Sequence, residues 1–66
     1  MNKMNLPENI VPLDLTHPTK STADPYGNVL YFCKQYGWII ASYDETDDMI
    51  SNFSCTHWTF TPPLPL

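Results

Sequence analysis

The fold of this chain is encoded chiefly in one stretch, Val29-Leu30-Tyr31-Phe32-Cys33-Lys34-Gln35-Tyr36-Gly37-Trp38-Ile39-Ile40-Ala41-Ser42-Tyr43. Two runs of β-branched and aromatic residues, which favour strands, stand on either side of a short break. That break, Gln35-Tyr36-Gly37, fits a three-residue hairpin loop with Gly37 in the left-handed conformation. The stretch therefore predicts an antiparallel hairpin with strands over 28–34 and 38–43.

Both predicted strands carry apolar residues on both alternating faces, unlike the in/out pattern of a sheet with one solvated face. We expect the second face to be covered, either by the N-terminal arm of the chain or by a second copy of it. A chain of 66 residues hides only about 60% of its unfolded surface and gains little from its own core. The pattern therefore predicts a homo-oligomer.

A third strand is predicted over 53–61, and Pro62 must end it because proline cannot donate to a sheet ladder. The residues between the second and third strands allow two structures. One is a short helical turn over 45–51, with Asp44 as its N-cap and Met49 and Ile50 turned inward. The other is an acidic hairpin loop closed by Ser51 and Asn52.

The first 25 residues contain four prolines, Pro7, Pro12, Pro18 and Pro25, which exclude a long helix. The segment 10–15 is apolar enough for a short edge strand, where Pro12 is tolerated. We therefore predict a mostly β protein, a small three- to four-stranded antiparallel meander over 26–61. An extended proline-containing arm, 1–25, precedes the meander, and a proline-rich tail, 62–66, follows it.

Charge is sparse and acidic, with three lysines, no arginine, seven acidic residues and a net charge of −4. A protein that neutralises phosphates needs a basic stripe, so no nucleic-acid partner is expected. The sequence has neither a signal peptide nor a segment long enough to span a bilayer, so no membrane association is expected. We expect a cytoplasmic protein, in which thiols stay reduced.

The side chains able to bind a soft metal ion are Cys33, Cys55, His57 and His17. Cys55 and His57 are two residues apart, so we expect them to share one strand face. A zinc site with Cys33 and His17 as the other ligands competes with buried, inert thiols and a structural histidine. In a meander the strands of Cys33 and Cys55 lie about 9.6 Å apart, which is too far for a disulfide. We expect no metal, no cofactor and no enzymatic activity.

The surplus of aromatic side chains is the remaining signal for function. Trp38 and Trp58, on strands expected to be adjacent, would form a platform for a planar ligand, anchor a partner protein, or simply fill the core. The acidic run over 44–48 would dock on a basic surface or form a solvated turn. The predicted partner site comprises Trp38, Trp58, Tyr36, Tyr43, Asp44, Glu45, Asp47 and Asp48.

The segment Thr56-His57-Trp58, followed by a proline-rich tail, resembles the end of a small domain of unknown function from tailed phages and prophages. Members of that family close with Thr-His-Trp-Met-Pro-Leu-Pro, and their two upstream strands resemble 29–32 and 38–43 in the same order. The resemblance covers 27–66. Thr59-Phe60-Thr61 replaces the usual Met-Pro-Leu, and the family's N-terminal signature is reduced to Leu6-Pro7. The resemblance implies a non-enzymatic phage accessory protein.

These observations lead to one expected function and two alternatives. We expect a phage-encoded binding protein that inhibits or redirects a host protein, such as a defence component, by direct contact in the bacterial cytoplasm. The first alternative is a homo-oligomer that sequesters a nucleotide-derived signal on its aromatic rings, although the absence of arginine disfavours phosphate binding. The second alternative is a minor structural protein of the virion.

Overall fold

The computed structural model describes residues 10–62, which form one antiparallel sheet with a short helix against it. The strands are β1 (Val11–Pro12), β2 (Asn28–Cys33), β3 (Gly37–Ser42) and β4 (Cys55–Thr59). The helix α1 spans Thr46–Phe53, and 3-10 turns cover Lys20–Thr22 and Tyr43–Glu45. The predicted antiparallel sheet with a fourth, N-terminal edge strand is confirmed.

The strand order differs from that of a meander, in which consecutive strands are neighbours. The order in the sheet is β1-β4-β2-β3, so β4 pairs with β2 and not with β3. The reason is the helix that joins β3 to β4. The Met49 side chain of this helix is buried in the core, so the helix crosses over β2. The chain therefore enters β4 on the side of β2 that is opposite β3.

The hairpin forms as its turn residues require. The β2–β3 register runs without interruption from Asn28↔Ser42 to Cys33↔Gly37. The three-residue loop is 34–36, one residue earlier than predicted, so Gly37 is the first residue of β3 and pairs with Cys33. Gly37 has the predicted left-handed backbone, with φ of 81°, which side chains with a Cβ rarely adopt. The loop length and this glycine together fix which residues of the two strands face each other.

A carboxylate organises the turn before β2. Asp24 Oδ1 accepts hydrogen bonds from the backbone amides of Tyr26 and Asn28, both at 2.9 Å. Its Oδ2 accepts one from Thr61 Oγ1 at 3.0 Å. The bond from the Asn28 amide is the main reason why the pKa of Asp24 lies below its ordinary value. One side chain thus ties the start of β2 to the segment that follows β4.

The helical alternative for 45–51 is confirmed, with different capping. Ser42 caps the 3-10 turn, since its Oγ accepts from the Asp44 amide at 3.4 Å, so Asp44 is not the cap. Met49 is buried as expected, whereas Ile50 is 37% exposed. The helix ends at Ser54, whose φ of 56° and ψ of 38° are left-handed and whose amide bonds to Ile50 O.

A single core lies between one face of the sheet and α1. Seven apolar residues from all parts of the described chain are buried in it: Leu13, Val29, Tyr31, Cys33, Met49, Cys55 and Trp58. Leu13 comes from the predicted arm and is only 3% exposed, so the segment around it is part of the same core as 26–61. No helix within residues 10–62 is long and apolar enough to cross a membrane.

Candidate interaction surface

One face of the sheet lies against the core, and the opposite face, exposed at Trp38 and Ile40 of β3 and half-buried along β2, is the candidate site. In β2 the buried residues alternate with Leu30 and Phe32, which point to the opposite side. The register places Trp38 opposite Phe32 and Ile40 opposite Leu30. We call these four side chains the open face. Because Met49 of α1 is buried on the other side, α1 does not cover the open face.

The open face keeps large apolar groups in contact with solvent. Ile40 is 61% exposed and Trp38 is 39% exposed. The indole of Trp38 meets the ring of Phe32 edge-on, with 5.2 Å between ring centroids and 64° between the planes. This contact holds the indole against the sheet, and its remaining surface stays available to a partner.

The two tryptophans do not form the platform that the sequence suggested. Trp58 lies on β4, which is separated from β3 by β2, and its partners across the ladders are Tyr31 and Val11 on the core side. It is 2% exposed, and its Nε1 donates to Thr16 O at 2.8 Å. Trp58 is a core residue, so it is not on the surface that a partner would meet.

The two tyrosines of the predicted site lie apart from Trp38. Tyr36, in the β2–β3 loop, is 63% exposed and meets Phe53 at the end of α1, with ring centroids 6.2 Å apart. Tyr43 is partly buried against the core. Tyr36 is therefore accessible at one end of the hairpin, and Tyr43 contributes mainly to stability.

The four acidic residues of the predicted site are exposed, and they occupy the 3-10 turn and the first turn of α1: Asp44, Glu45, Asp47 and Asp48. Negative charge at a helix N-terminus is stabilised by the helix dipole. Ser42 Oγ donates to Asp44 Oδ1 at 2.6 Å, and Asn52 Nδ2 donates to Asp48 Oδ1 at 2.6 Å. Asp44 and Glu45 follow β3 after Tyr43, and Asp44 shares a groove with Asp47 and Lys20 beside the core. The acidic residues therefore lie beyond the end of β3 and not among the side chains of the open face.

A β-bulge in β4 overturns the expectation that Cys55 and His57 share a face. His57 pairs with Phe32, but Cys33 pairs with Cys55, which leaves Thr56 as the extra residue. The bulge returns Cys55 to the core side, where it is 4% exposed, while His57 lies level with Phe32. His57 Nδ1 is 2.8 Å from Thr56 Oγ1.

The two cysteines are neighbours, which corrects the argument that an intervening strand keeps them apart. Cys33 and Cys55 face each other across β2 and β4, and both are free thiols. Cys33 Sγ donates to Phe53 O at 2.8 Å. Burial is the main cause that raises the pKa of the Cys55 thiol, with Cys33 beside it as a further cause. Within residues 10–62, no three His, Cys, Asp or Glu side chains are grouped to hold a metal ion.

One buried polar cluster had no signal in the sequence. The Tyr31 hydroxyl donates to Ser42 O at 2.7 Å and lies 3.0 Å from Thr46 Oγ1. Thr46 Oγ1 in turn donates to Tyr43 O at 3.1 Å. Burial raises the pKa of Tyr31, so its hydroxyl remains protonated. The cluster joins the end of β3 to the start of α1 and is structural.

Shallow grooves lie beside the core in the described part of the chain, and two of them bear on the nucleotide-binding alternative. One, of about 470 Å³, lies beside β1 and the bulge, and Asp14 is its charged residue. The other, of about 350 Å³, contains Lys20 together with Asp44 and Asp47. A nucleotide phosphate would meet carboxylates in either groove, so neither favours the nucleotide-binding alternative.

No family model, no curated protein and no solved structure matches the chain. The resemblance of Thr56-His57-Trp58 to the phage domain therefore stays a prediction. The candidate surface is defined by geometry, exposure and charge.

Proposed function

We propose that the protein is a non-catalytic binding protein whose open face contacts another protein. In the setting implied by the C-terminal resemblance, the partner is a host protein of a phage-infected bacterium, and contact inhibits or redirects it in the cytoplasm. The site comprises the open face, and Asp44 and Glu45 lie beyond the end of β3 in the chain.

The observation that carries this proposal is the exposure of Ile40 and Trp38 on the side of the sheet opposite the core. Exposed apolar patches on small soluble domains mark interaction surfaces, and tryptophan is enriched among the residues that dominate binding energy. Trp38 is already held in place by Phe32, so little side-chain freedom is lost when a partner binds it.

Charge defines the kind of partner. The protein has a net charge of −4, and Asp44 and Glu45 lie in the turn that follows β3. A partner with an apolar centre and lysines or arginines at its rim complements this arrangement. The negative charge of the protein mainly accelerates association, whereas the apolar centre slows dissociation.

Photo-crosslinking in bacterial cells tests the proposal. Phe32 is replaced by a photoreactive phenylalanine derivative, which places the probe within the open face. Tyr26, an aromatic residue that is 75% exposed in the turn before β2, receives the same probe as the matched control. We expect one discrete adduct with a host protein from position 32, and none of that mass from position 26.

A second substitution examines the contribution of the indole. Trp38→Ala in the position-32 probe background is expected to reduce the host-protein adduct at least about tenfold, as for loss of a binding hot spot. Circular dichroism checks that the variant stays folded. Equal adducts from positions 26 and 32, or an adduct unaffected by Trp38→Ala, would exclude the open face as the binding site.

A further inference from the structure

We propose that β3 pairs antiparallel with β3 of a second copy of this chain, with Ile40 on the twofold axis. Two four-stranded sheets then become one sheet of eight strands. The dimer is a property of the protein itself and does not require the proposed host partner, so either can fail without the other.

Three residues of β3 direct backbone groups away from β2. The Tyr43 amide donates to Gly27 O at 3.0 Å, in line with the β2–β3 register, so position 43 bonds toward β2. Hydrogen-bonded and non-hydrogen-bonded pairs alternate along an antiparallel ladder. Ile39 therefore also bonds toward β2, whereas Trp38, Ile40 and Ser42 direct their backbone groups away from it. Of these groups, Ser42 O already accepts from the Tyr31 hydroxyl. Among residues 10–62, no strand lies on that side of β3.

β1, the edge strand on the other side of the sheet, differs from β3 because its backbone cannot pair with a further strand at Pro12. Leu13 N donates to Thr56 O, so by the same alternation the backbone of Pro12 faces away from β4. Proline has no amide to offer, and Pro12 O already accepts from Leu15 N and Thr16 N at 3.1 and 3.2 Å. The β1 edge thus presents no free pairing group at Pro12.

β3 lacks the charges, prolines and bulges that protect many edge strands. Its sequence, Gly37-Trp38-Ile39-Ile40-Ala41-Ser42, contains no charge and no proline, and its register with β2 has no bulge. It is also six residues long, against two for β1. A long, regular, uncharged edge with exposed apolar side chains favours pairing with another strand.

The charges at the two ends of β3 favour antiparallel pairing with the β3 strand of a second copy. Lys34 precedes β3 in the exposed loop, and Asp44 and Glu45 follow it. Antiparallel pairing centred on Ile40 brings the Lys34 end of each copy to the Asp44 end of the other, whereas parallel pairing would align like charges. The neutral centre lets two acidic chains approach without repulsion along the strand itself.

In the proposed register, the amide and carbonyl of Ile40 at the centre of β3 bond to the second copy. Ile40 exchanges two hydrogen bonds with Ile40 of the second copy, and Trp38 lies opposite Ser42 of the second copy. The side chains of Ile40 from both copies then touch on the exposed side of the sheet. The two open faces become one continuous apolar surface, twice as wide as in a single chain.

Sedimentation velocity on the purified full chain is the first test. We expect a dimer at micromolar concentration. Ile40→Lys places two positive charges on the axis and is expected to raise the dimer dissociation constant about a hundredfold. Ile40→Thr, an uncharged strand former at the same exposed position, is the matched control and should raise it less than about tenfold. A wild-type monomer, or equal effects of the two substitutions, would overturn the proposal.

Amide hydrogen exchange measured by NMR identifies the edge itself. The amides of Trp38 and Ile40 should be protected in the dimer and lose protection on dilution, while the inward-bonded Ile39 amide stays protected throughout. A dimer with fast exchange at Ile40 would mean that the copies meet through another surface. Protection of Ile40 in a monomer would mean that another part of the same chain occupies the edge. Either result contradicts pairing between two copies.

Discussion

Trp58 fills the centre of the core, and its indole nitrogen donates to a backbone carbonyl from the N-terminal part of the described chain. Trp58→Phe removes that donor, leaves Thr16 O without its partner and opens a void beside Tyr31. We expect the free energy of unfolding to fall by about 2–4 kcal/mol. Urea denaturation followed by circular dichroism measures the change.

The same substitution at the other tryptophan is the control. Trp38 is 39% exposed and its indole contacts Phe32 edge-on, so a phenylalanine at position 38 keeps most of that contact. We expect Trp38→Phe to change the free energy of unfolding by less than about 1 kcal/mol. Comparable losses for the two variants would contradict the assignment of Trp58 to the core and Trp38 to the surface.

The sequence alone could not distinguish these two residues. Both tryptophans occur in strand-like segments, and the alternation rule gives the face of a residue only when the phase of its strand is known. In β4 that phase changes at the bulge around Thr56, which nothing in the local sequence marks. The same bulge explains why Cys55 and His57, two residues apart, lie on different sides.

At the scale of the elements, the C-terminal end of α1 is held in a conformation that suits glycine. Ser54 has a φ of 56°, and left-handed backbone costs a residue with a Cβ about 1–2 kcal/mol. Part of the gain from glycine is offset by its greater freedom in the unfolded chain. We expect Ser54→Gly to raise the free energy of unfolding by about 0.5–1 kcal/mol, measured by urea denaturation.

Ser51, on the exposed side of α1, provides the matched control for that substitution. Its backbone is helical, so glycine there has only the disadvantage of its flexibility. Ser51→Gly should lower the free energy of unfolding by about 0.5 kcal/mol. Destabilisation by both substitutions would show that the left-handed backbone at Ser54 is absent in solution.

The turn before β2 should make stability depend on pH. The pKa of Asp24 is lowered in the folded chain from its ordinary value of 3.8, mainly by the Asn28 amide. The contribution of Asp24 is therefore complete above its unfolded pKa and is lost as the pH falls through its folded pKa. Asp24→Asn should be less stable than the wild type at neutral pH, and the difference should shrink in acid.

Denaturation of both proteins at several pH values between neutral and strongly acidic measures that difference. Asp14→Asn is the control, because Asp14 is exposed and stands outside the turn. It should track the wild type across the range. A difference between wild type and Asp24→Asn that stays constant down to low pH would mean that the charge of Asp24 does not stabilise the turn.

Elements that are determined by neighbouring residues could be predicted from the sequence, whereas those that depend on distant contacts could not. The hairpin was predictable because the loop length and Gly37 act within a few residues. Residues 44–52 favoured helix and loop about equally, and burial of Met49 against distant residues decides for the helix. The strand order rests on that same distant contact, which is why a meander was expected instead of β1-β4-β2-β3.

For the whole molecule, the exposed apolar surface has a simple cause. Both faces of the sheet carry apolar side chains, but only one face packs against a core. The helix packs on one face of the sheet only, so Trp38 and Ile40 on the opposite face and the β3 edge remain exposed within the described chain. The surplus is visible in the sequence, since both predicted strands are apolar on both sides, and its cover by a second copy stays a prediction. The sequence named Trp38 as part of the surface, but it missed Ile40, whose exposure depends on β3 being at the edge.

A core this small gives the folded chain only a small free energy of unfolding. Substitution of two leucines that are two residues apart in the sequence tests this. Leu13 is 3% exposed in the core, whereas Leu15 is 77% exposed. Leu13→Ala should cost about 2–4 kcal/mol, while Leu15→Ala should change stability by less than about 0.5 kcal/mol. A domain of this length has a free energy of unfolding of about 3–10 kcal/mol, so the first variant would be close to unfolding.

Thermal denaturation of both variants measures this, at one fixed protein concentration because a dimer would make the midpoint concentration-dependent. Leu13 lies in the segment that follows β1, where its amide donates to Thr56 O in the bulge of β4. A large loss at Leu13 would therefore show that the N-terminal segment and the strands after residue 26 unfold as one unit. Equal, small losses at the two leucines would show instead that the segment is a separable arm.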